Sequence, residues 1–368
     1  MKGKETTILN RNKLLLVGIV ITITFVTVGV LLILTNKKVQ TGGEDGNLVT
    51  TSYTNPVYYH DAADPSSVLK DEDGYYYIVT TQSNYTGTVK RLPIIRSLDL
   101  VNWELVGEVF SNTNLPDWTS KTNIHLWAPD LVKHEGKYYV YYSANVNDSE
   151  IEMAIGVAVA DSITGPYVDK GEPIVTGPRF TTIDPYIFKD DDGKRYMYWG
   201  SGHEPLKVQE LSNDGMSLVG ERKQVLRPDP RRDYETLIEA PWVMKRGEYY
   251  YLFYSGNHGK NYAAMVARST SPFGPFEKYW EKDASKRPII EINERYYEPG
   301  HNSVVTDEAG QDWIVYHAYD NNAPYMNRMM MIDKLEWIDN WPVSDGPTFT
   351  LVEDGPVTKK PMNLEKEE

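Results

Sequence analysis

From Tyr53 onward the chain alternates polar and apolar positions with a period of two. The apolar positions are rich in tyrosine, and turn signals interrupt the pattern often. No long stretch repeats every 3.6 residues. Such alternation predicts strands whose two faces meet different surroundings, so the chain reads as all-β. One unit recurs five times: a short segment carrying a polar residue, a turn with glycine, then an aromatic strand ending in a small residue. The first two are Ala63-Asp64-Pro65 with Gly74-Tyr75-Tyr76-Tyr77, and Ala128-Pro129-Asp130 with Gly136-Lys137-Tyr138-Tyr139. The third and fourth are Ile183-Asp184-Pro185 with Gly193-Lys194-Arg195-Tyr196, and Glu239-Ala240-Pro241 with Gly247-Glu248-Tyr249-Tyr250. The fifth is Gly300-His301-Asn302-Ser303 with Gly310-Gln311-Asp312-Trp313. The five glycines lie 62, 57, 54 and 63 residues apart. A period of roughly 60 holds four short strands and their turns. The pattern predicts a five-bladed β-propeller over residues 53–350.

The N-terminal end follows a different rule. Leu14 to Leu34 is 21 residues without a charge, long enough to cross a hydrocarbon core as a helix. Lys2, Lys4, Arg11 and Lys13 precede it. The bias of positive charge puts residues 1–13 in the cytoplasm, a signal-anchor helix at 14–34, and a polar linker at 35–52. A cleaved signal peptide would have a shorter apolar core and a small-x-small site. Thr35-Asn36-Lys37-Lys38 supplies no such site. The expectation is a single-pass protein of the cell membrane with its propeller outside, secreted only if that segment is removed. Residues 351–368 form a charged tail.

Composition narrows the chemistry. The 368 residues carry a net charge of −14, with 40% hydrophobic and 24% charged side chains, which is globular. An acidic surface lacks the cations that phosphates require, which argues against a nucleic-acid partner. With no cysteine, thiolate nucleophiles, zinc–thiolate sites and disulfides are excluded. Asp71-Glu72-Asp73-Gly74 and Asp190-Asp191-Asp192-Gly193 resemble calcium loops, but they lack the spaced terminal Glu of such a loop. They stand where hairpin turns are needed and read as solvated turns.

The first strand of each propeller blade lines the central axis. The polar residues before each turn, Asp64, Asp130, Asp184, Glu239 and His301, therefore converge there. Like charges held together disfavour each other's ionisation, so the arrangement marks a functional site. Glycoside hydrolysis needs such carboxylates: one acid protonates the leaving oxygen, and one base takes a proton from water. A third carboxylate can keep the acid protonated.

The ordered set Ala63-Asp64-Pro65-Ser66, Trp127-Ala128-Pro129-Asp130, Ile183-Asp184-Pro185, Ile238-Glu239-Ala240-Pro241 and Pro299-Gly300-His301-Asn302-Ser303 resembles glycoside hydrolase family 43. The resemblance covers residues 53 to about 350. It implies an inverting, five-bladed propeller enzyme acting on plant cell-wall arabinan, arabinoxylan or xylan. It implies Asp64 as general base, Glu239 as general acid and Asp184 as the residue that tunes the acid. Asp61, three residues before Asp64, is the weaker match to the base because no proline follows it. His301 is similar to the family histidine that holds a central ion, usually calcium, largely through waters. Arg328 looks like the substrate-contacting arginine, although Asn327 stands where the family often has glycine. Arg328 can equally pair with an axial carboxylate. Trp127 and Asp130 are further binding candidates, Asp130 in binding or in support. His317 reads as structural. The resemblance points first to cleavage of α-L-arabinofuranosidic linkages. A β-D-xylosidase, or an inactive carbohydrate-binding propeller, is the alternative. The presence of all three carboxylates favours the enzyme.

Overall fold

In the computed structural model, residues 39–40, 47–85, 87–120, 124–147, 152–257, 261–323 and 327–360 are described. Five antiparallel sheets follow one another in chain order. Blade 1 comprises Leu69–Lys70, Tyr76–Val79, Thr88–Ser97 and Trp103–Phe110, with Ser83–Tyr85 folded onto the third strand. Blade 2 has Leu126–His134, Lys137–Asn145 and Glu152–Ala160, edged by Val168–Asp169 and Val175–Pro178. Blade 3 has Tyr186–Lys189, Arg195–Trp199, Leu206–Leu211 and Leu218–Leu226. Blade 4 has Ile238–Arg246, Tyr249–Gly256, Ala263–Ser269 and Glu277–Lys278. Blade 5 has Tyr296–Thr306, Asp312–Asp320, Met329–Ile338 and Trp341–Val343. The chain is a five-bladed β-propeller.

The core lies between blades, and the period-two pattern explains why. In the second strand of blade 2, Tyr138, Val140 and Tyr142 face blade 1, while Tyr139 and Tyr141 face blade 3. Blades 3 and 4, 4 and 5, and 5 and 1 share the remaining apolar clusters. Both faces of each middle strand are therefore buried, and tyrosine suits them because its hydroxyl can reach the edge. The turn glycines 74, 136, 193, 247 and 310 all have φ between 60° and 88°. A Cβ there would touch nothing within 4 Å, so the requirement is conformational rather than steric.

The acidic turns are not simply solvated. Asp71 accepts from Lys133 and Tyr138 of blade 2 at 2.7–2.8 Å. Asp190 accepts from Tyr250 of blade 4 at 3.0 Å, with Lys245 at 3.7 Å. Glu308 pairs with Lys70 and Tyr76 of blade 1. Each turn carboxylate thus stitches its blade to the next.

The first and last described strands share a sheet. Leu48–Thr51 pairs on one side with Val39–Gln40 and on the other with Val357–Lys359. The segments read as linker and tail thus share one small sheet. The predicted span at 14–34 lies outside the described residues. Among the described residues no helix is long and apolar enough to cross a membrane, and Arg179–Thr182 forms a short 3-10 turn.

Candidate active site

Each first strand contains a kink or follows one. Asp64, Ala128, Asp184, Ala240 and His301 all take φ between 42° and 60°, a left-handed conformation that disfavours side chains with a Cβ. Ladder register slips beside Ala128, Ala240 and His301, as at β-bulges. A bulge re-aims neighbouring side chains, and here it turns them to the axis. These five residues are the true equivalents. Glu239 precedes its kink by one residue and Asp130 follows its kink by two, which corrects the register expected from the sequence.

Asp64 is buried and gathers cations and donors. Its Oδ1 lies 3.0 Å from Arg328 Nη1, and its Oδ2 accepts from Thr81 Oγ1 at 2.6 Å. Burial alone would raise its carboxyl, but the Arg328 charge foremost, with the Thr81 hydroxyl, holds it well below the usual carboxylate range. Asp61 contrasts with it. Burial pushes that carboxyl up to about 6, with Arg328 only partly opposing. Of the two, Asp64 is the one kept ionised.

Asp184 has the opposite environment. Burial, then the charges of Glu239 and Asp64, raise its carboxyl well above the usual value. Its Oδ2 accepts the Ala240 backbone N–H at 3.1 Å. Glu239 is half-buried. Its Oε2 accepts from Ser201 Oγ and its Oε1 from Tyr262 OH, both at 2.8 Å. The Tyr262 ring stacks on His317 with centroids 5.9 Å apart. Gly300 makes room for it: a Cβ there would fall 2.3 Å from Tyr262 Cε1.

The other expected residues divide. Arg328 enters the site by pairing with Asp64, with 31% of its side chain exposed. Trp127 stands at the rim, parallel to Phe180 at 6.5 Å, and Phe180 is 45% exposed. Asp130 belongs to the support of the ring. It is buried, and its carboxylate accepts the backbone N–H groups of Ser67 and Ile187 at 3.2 and 2.9 Å, tying blades 1 and 3 to blade 2. With both oxygens engaged, it supports the strands that carry Asp64 and Asp184. Burial pushes its carboxyl up to about 6 against those bonds.

His301 has its Nδ1 3.4 Å from Asp64 Oδ1, and burial keeps it neutral against the pull of Asp64. It also lines an axial cavity of about 10 Å³, together with Asn302 and Asp130. Both polar atoms of the Asn302 side chain are buried without a partner among the described residues. The cavity has room for about one water-sized sphere. No group of three or more His, Asp or Glu among the described residues could hold a metal. The donors lining it are one imidazole, one amide and the already engaged Asp130 carboxylate, so a cation there would depend on water for most of its shell.

The sequence profile of Glycosyl hydrolases family 43 matches residues 53–342. The chain belongs to glycoside hydrolase family 43. A β-D-galactofuranosidase of Aspergillus niger is 33% identical over 309 residues, covering 78% of this chain and 83% of that protein. An extracellular exo-α-(1→5)-L-arabinofuranosidase of Cellvibrio japonicus is 30% identical over 315 residues, covering 77% and 86%. The crystal structure of a thermostable family-43 glycoside hydrolase superposes with a TM-score of 0.69 at 30% identity, covering 83% of this chain and 99% of that one. Within this family-43 propeller, sequence reading missed Thr81, Ser201 and Tyr262, and it read His317 as structural, where the ring holds the Asp64 backbone N–H. Four residue positions share a signal: Thr81, Ser143, Ser201 and Ser255 stand seven or eight residues after a turn glycine, and so does His317.

Proposed function

We propose that the chain is an inverting glycoside hydrolase cleaving α-L-arabinofuranosidic linkages of arabinan or arabinoxylan. The observation that carries this reading is the split between two buried carboxyls on one axis: Asp64 held ionised, Asp184 held protonated more readily. Hydrolysis with inversion needs an ionised base and a protonated acid on opposite sides of the bond. Asp64 is the base, taking a proton from the attacking water. Arg328 and Thr81 fix its carboxylate, and Arg328 keeps enough exposure to reach the sugar. Glu239 is the acid, delivering a proton to the leaving oxygen while Ser201 and Tyr262 hold its two oxygens. Asp184 stands beside Glu239 as the residue that tunes the acid, and the Glu239 charge in turn helps raise the Asp184 carboxyl. Trp127 and Phe180 offer an aromatic shelf for a sugar face. His301 and Asn302 would hold a calcium ion on the axis, where its charge would balance the nearby carboxylates. The 14–34 segment would keep the enzyme at the outer face of the cell membrane.

The test is a panel of aryl α-L-arabinofuranosides, β-D-xylosides and β-D-galactofuranosides, with linear and branched arabinan, followed by NMR of the first-formed product. Arabinofuranoside cleavage with inverted configuration is expected. Retention at the anomeric carbon would overturn the mechanism, and preference for the xyloside or galactofuranoside would overturn the substrate.

A further inference from the structure

The kinked residue that opens each blade has its backbone N–H held by a side chain of the preceding blade. Thr81 Oγ1 accepts from Ala128 at 2.7 Å, Ser143 Oγ from Asp184 at 2.9 Å, and Ser255 Oγ from His301 at 2.7 Å. His317 Nδ1 accepts from Asp64 at 3.1 Å, closing the ring from blade 5 to blade 1. In all four the acceptor stands near the end of the preceding blade's second strand. By that rule Ser201 should hold Ala240. It does not: the Ala240 N–H goes to Asp184 Oδ2 instead, at 3.1 Å. The Ser201 hydroxyl is thereby released, and it donates to Glu239 Oε2.

We infer that Ser201 is a positioning residue for Glu239, made available because Asp184 has taken over its structural task. The inference rests on the proposed role of Glu239 as acid and deepens it. The physical argument is one of donors and acceptors. A buried backbone N–H must find an acceptor. Where a hydroxyl oxygen supplies it, that oxygen is held at the N–H and its proton reaches only what lies beside the kink, as Thr81 accepts from Ala128 and donates to Asp64. Where a carboxylate supplies it, the serine oxygen is not tied to that N–H and can be placed against the catalytic side chain. Blade 3 alone among the five has an acidic residue at its kink together with a carboxylate just ahead of the next one. Asp184 thus has two jobs at Ala240 and Glu239, one by hydrogen bond and one by charge. Ser201 and Tyr262 grip separate oxygens of Glu239, which fixes the plane of its carboxyl group. A general acid must present its proton in line with the leaving oxygen.

Two experiments test this. In the first, Ser201→Ala and Ser201→Thr are compared with the parent on a natural linkage and on an activated aryl glycoside. Ser201→Ala should lose kcat by about 10–100-fold on the natural linkage. It should lose far less on the activated substrate, keep KM within about twofold, and be largely rescued by Ser201→Thr, whose hydroxyl remains. Equal losses on both substrates, or none, would overturn the role. In the second, crystal structures of Asp184→Ala are examined, a readout that needs no activity. Ser201 Oγ should swing to within hydrogen-bond distance of the Ala240 nitrogen, as in the other blades. Ser201 Oγ still out of hydrogen-bond reach of the Ala240 nitrogen would refute the exchange. A parent protein inactive on every glycoside would instead refute the glycosidase reading while leaving the structural exchange to stand or fall separately.

Discussion

His317 accepts the backbone N–H of Asp64 at Nδ1, 3.1 Å away, so the proton of its neutral ring sits on Nε2. Burial, then the Arg328 charge, hold this imidazole well below its usual value, and it stays neutral. The approach of the same Nδ1 to Asp64 Oδ1 at 3.3 Å is therefore not an ion pair. Two acceptors face one another because a single N–H fixes the ring and a left-handed backbone fixes the carboxylate.

His317→Ala should leave the Asp64 N–H buried without an acceptor, destabilising the fold by about 1–3 kcal/mol. Activity should fall at least tenfold, because Asp64 loses the backbone orientation that points it at the axis. His317→Gln, which can still accept, should recover part of both. Melting temperature and kcat/KM measured together check this, and a His317→Ala protein of parental activity would refute it.

Arg328→Gln removes the leading opponent of burial at Asp64, so that carboxyl should rise. As the proposed base, Asp64 works only when ionised, so a raised value should move the acid limb of the kcat/KM profile to higher pH. Arg328→Lys keeps the charge and should move it much less, while losing activity through altered geometry. Profiles from pH 4 to 9 distinguish the two, and an unmoved acid limb in Arg328→Gln would rule out the pairing as the source of the low value.

Gly300→Ala places a methyl group 2.3 Å from Tyr262 Cε1 and 2.8 Å from Ser255 Oγ. Overpacking of this kind costs about 1–3 kcal/mol. The ring should relieve it by moving off Glu239, lowering kcat while leaving the Trp127 shelf, and hence KM, nearly unchanged. Full activity in Gly300→Ala would show that Tyr262 is not needed there.

Removal of divalent metal by chelation should reduce activity without unfolding, and His301→Ala should do the same. The far-ultraviolet circular dichroism spectrum should be unchanged in both cases. Anomalous scattering at the axis, absent after chelation, locates the ion. An axis without anomalous signal, with full activity in chelator, would remove the metal from the mechanism.

The propeller was legible because its repeat is local. A glycine at positive φ, an aromatic strand and a spacing of about 60 residues can all be counted along the chain. Asp64 and Asp184 were legible for the same reason, each being a kinked residue followed by proline. The register failed at blades 2 and 4, where the kinked residues are Ala128 and Ala240 and the eye goes to the neighbouring carboxylates. Proline was the better marker there, since Pro129 and Pro241 follow the kinks directly. The Thr81, Ser143, Ser255 and His317 contacts were invisible because each spans two blades. Nothing in Ser143 itself says that it faces a nitrogen 41 residues away. Asp71 and Asp190 read as solvated for the same reason, since their lysine and tyrosine partners belong to a different blade.

Every bond that aims a kinked residue at the axis crosses a seam between blades, and the last seam, between His317 and Asp64, joins the fifth blade to the first. The catalytic geometry is therefore a property of the hoop as a whole, like the tension in a barrel's staves. A seam that loosens anywhere slackens the hoop at its centre. Opening one seam should therefore cost the alignment of the side chain beside it while leaving the sequence of carboxylates intact.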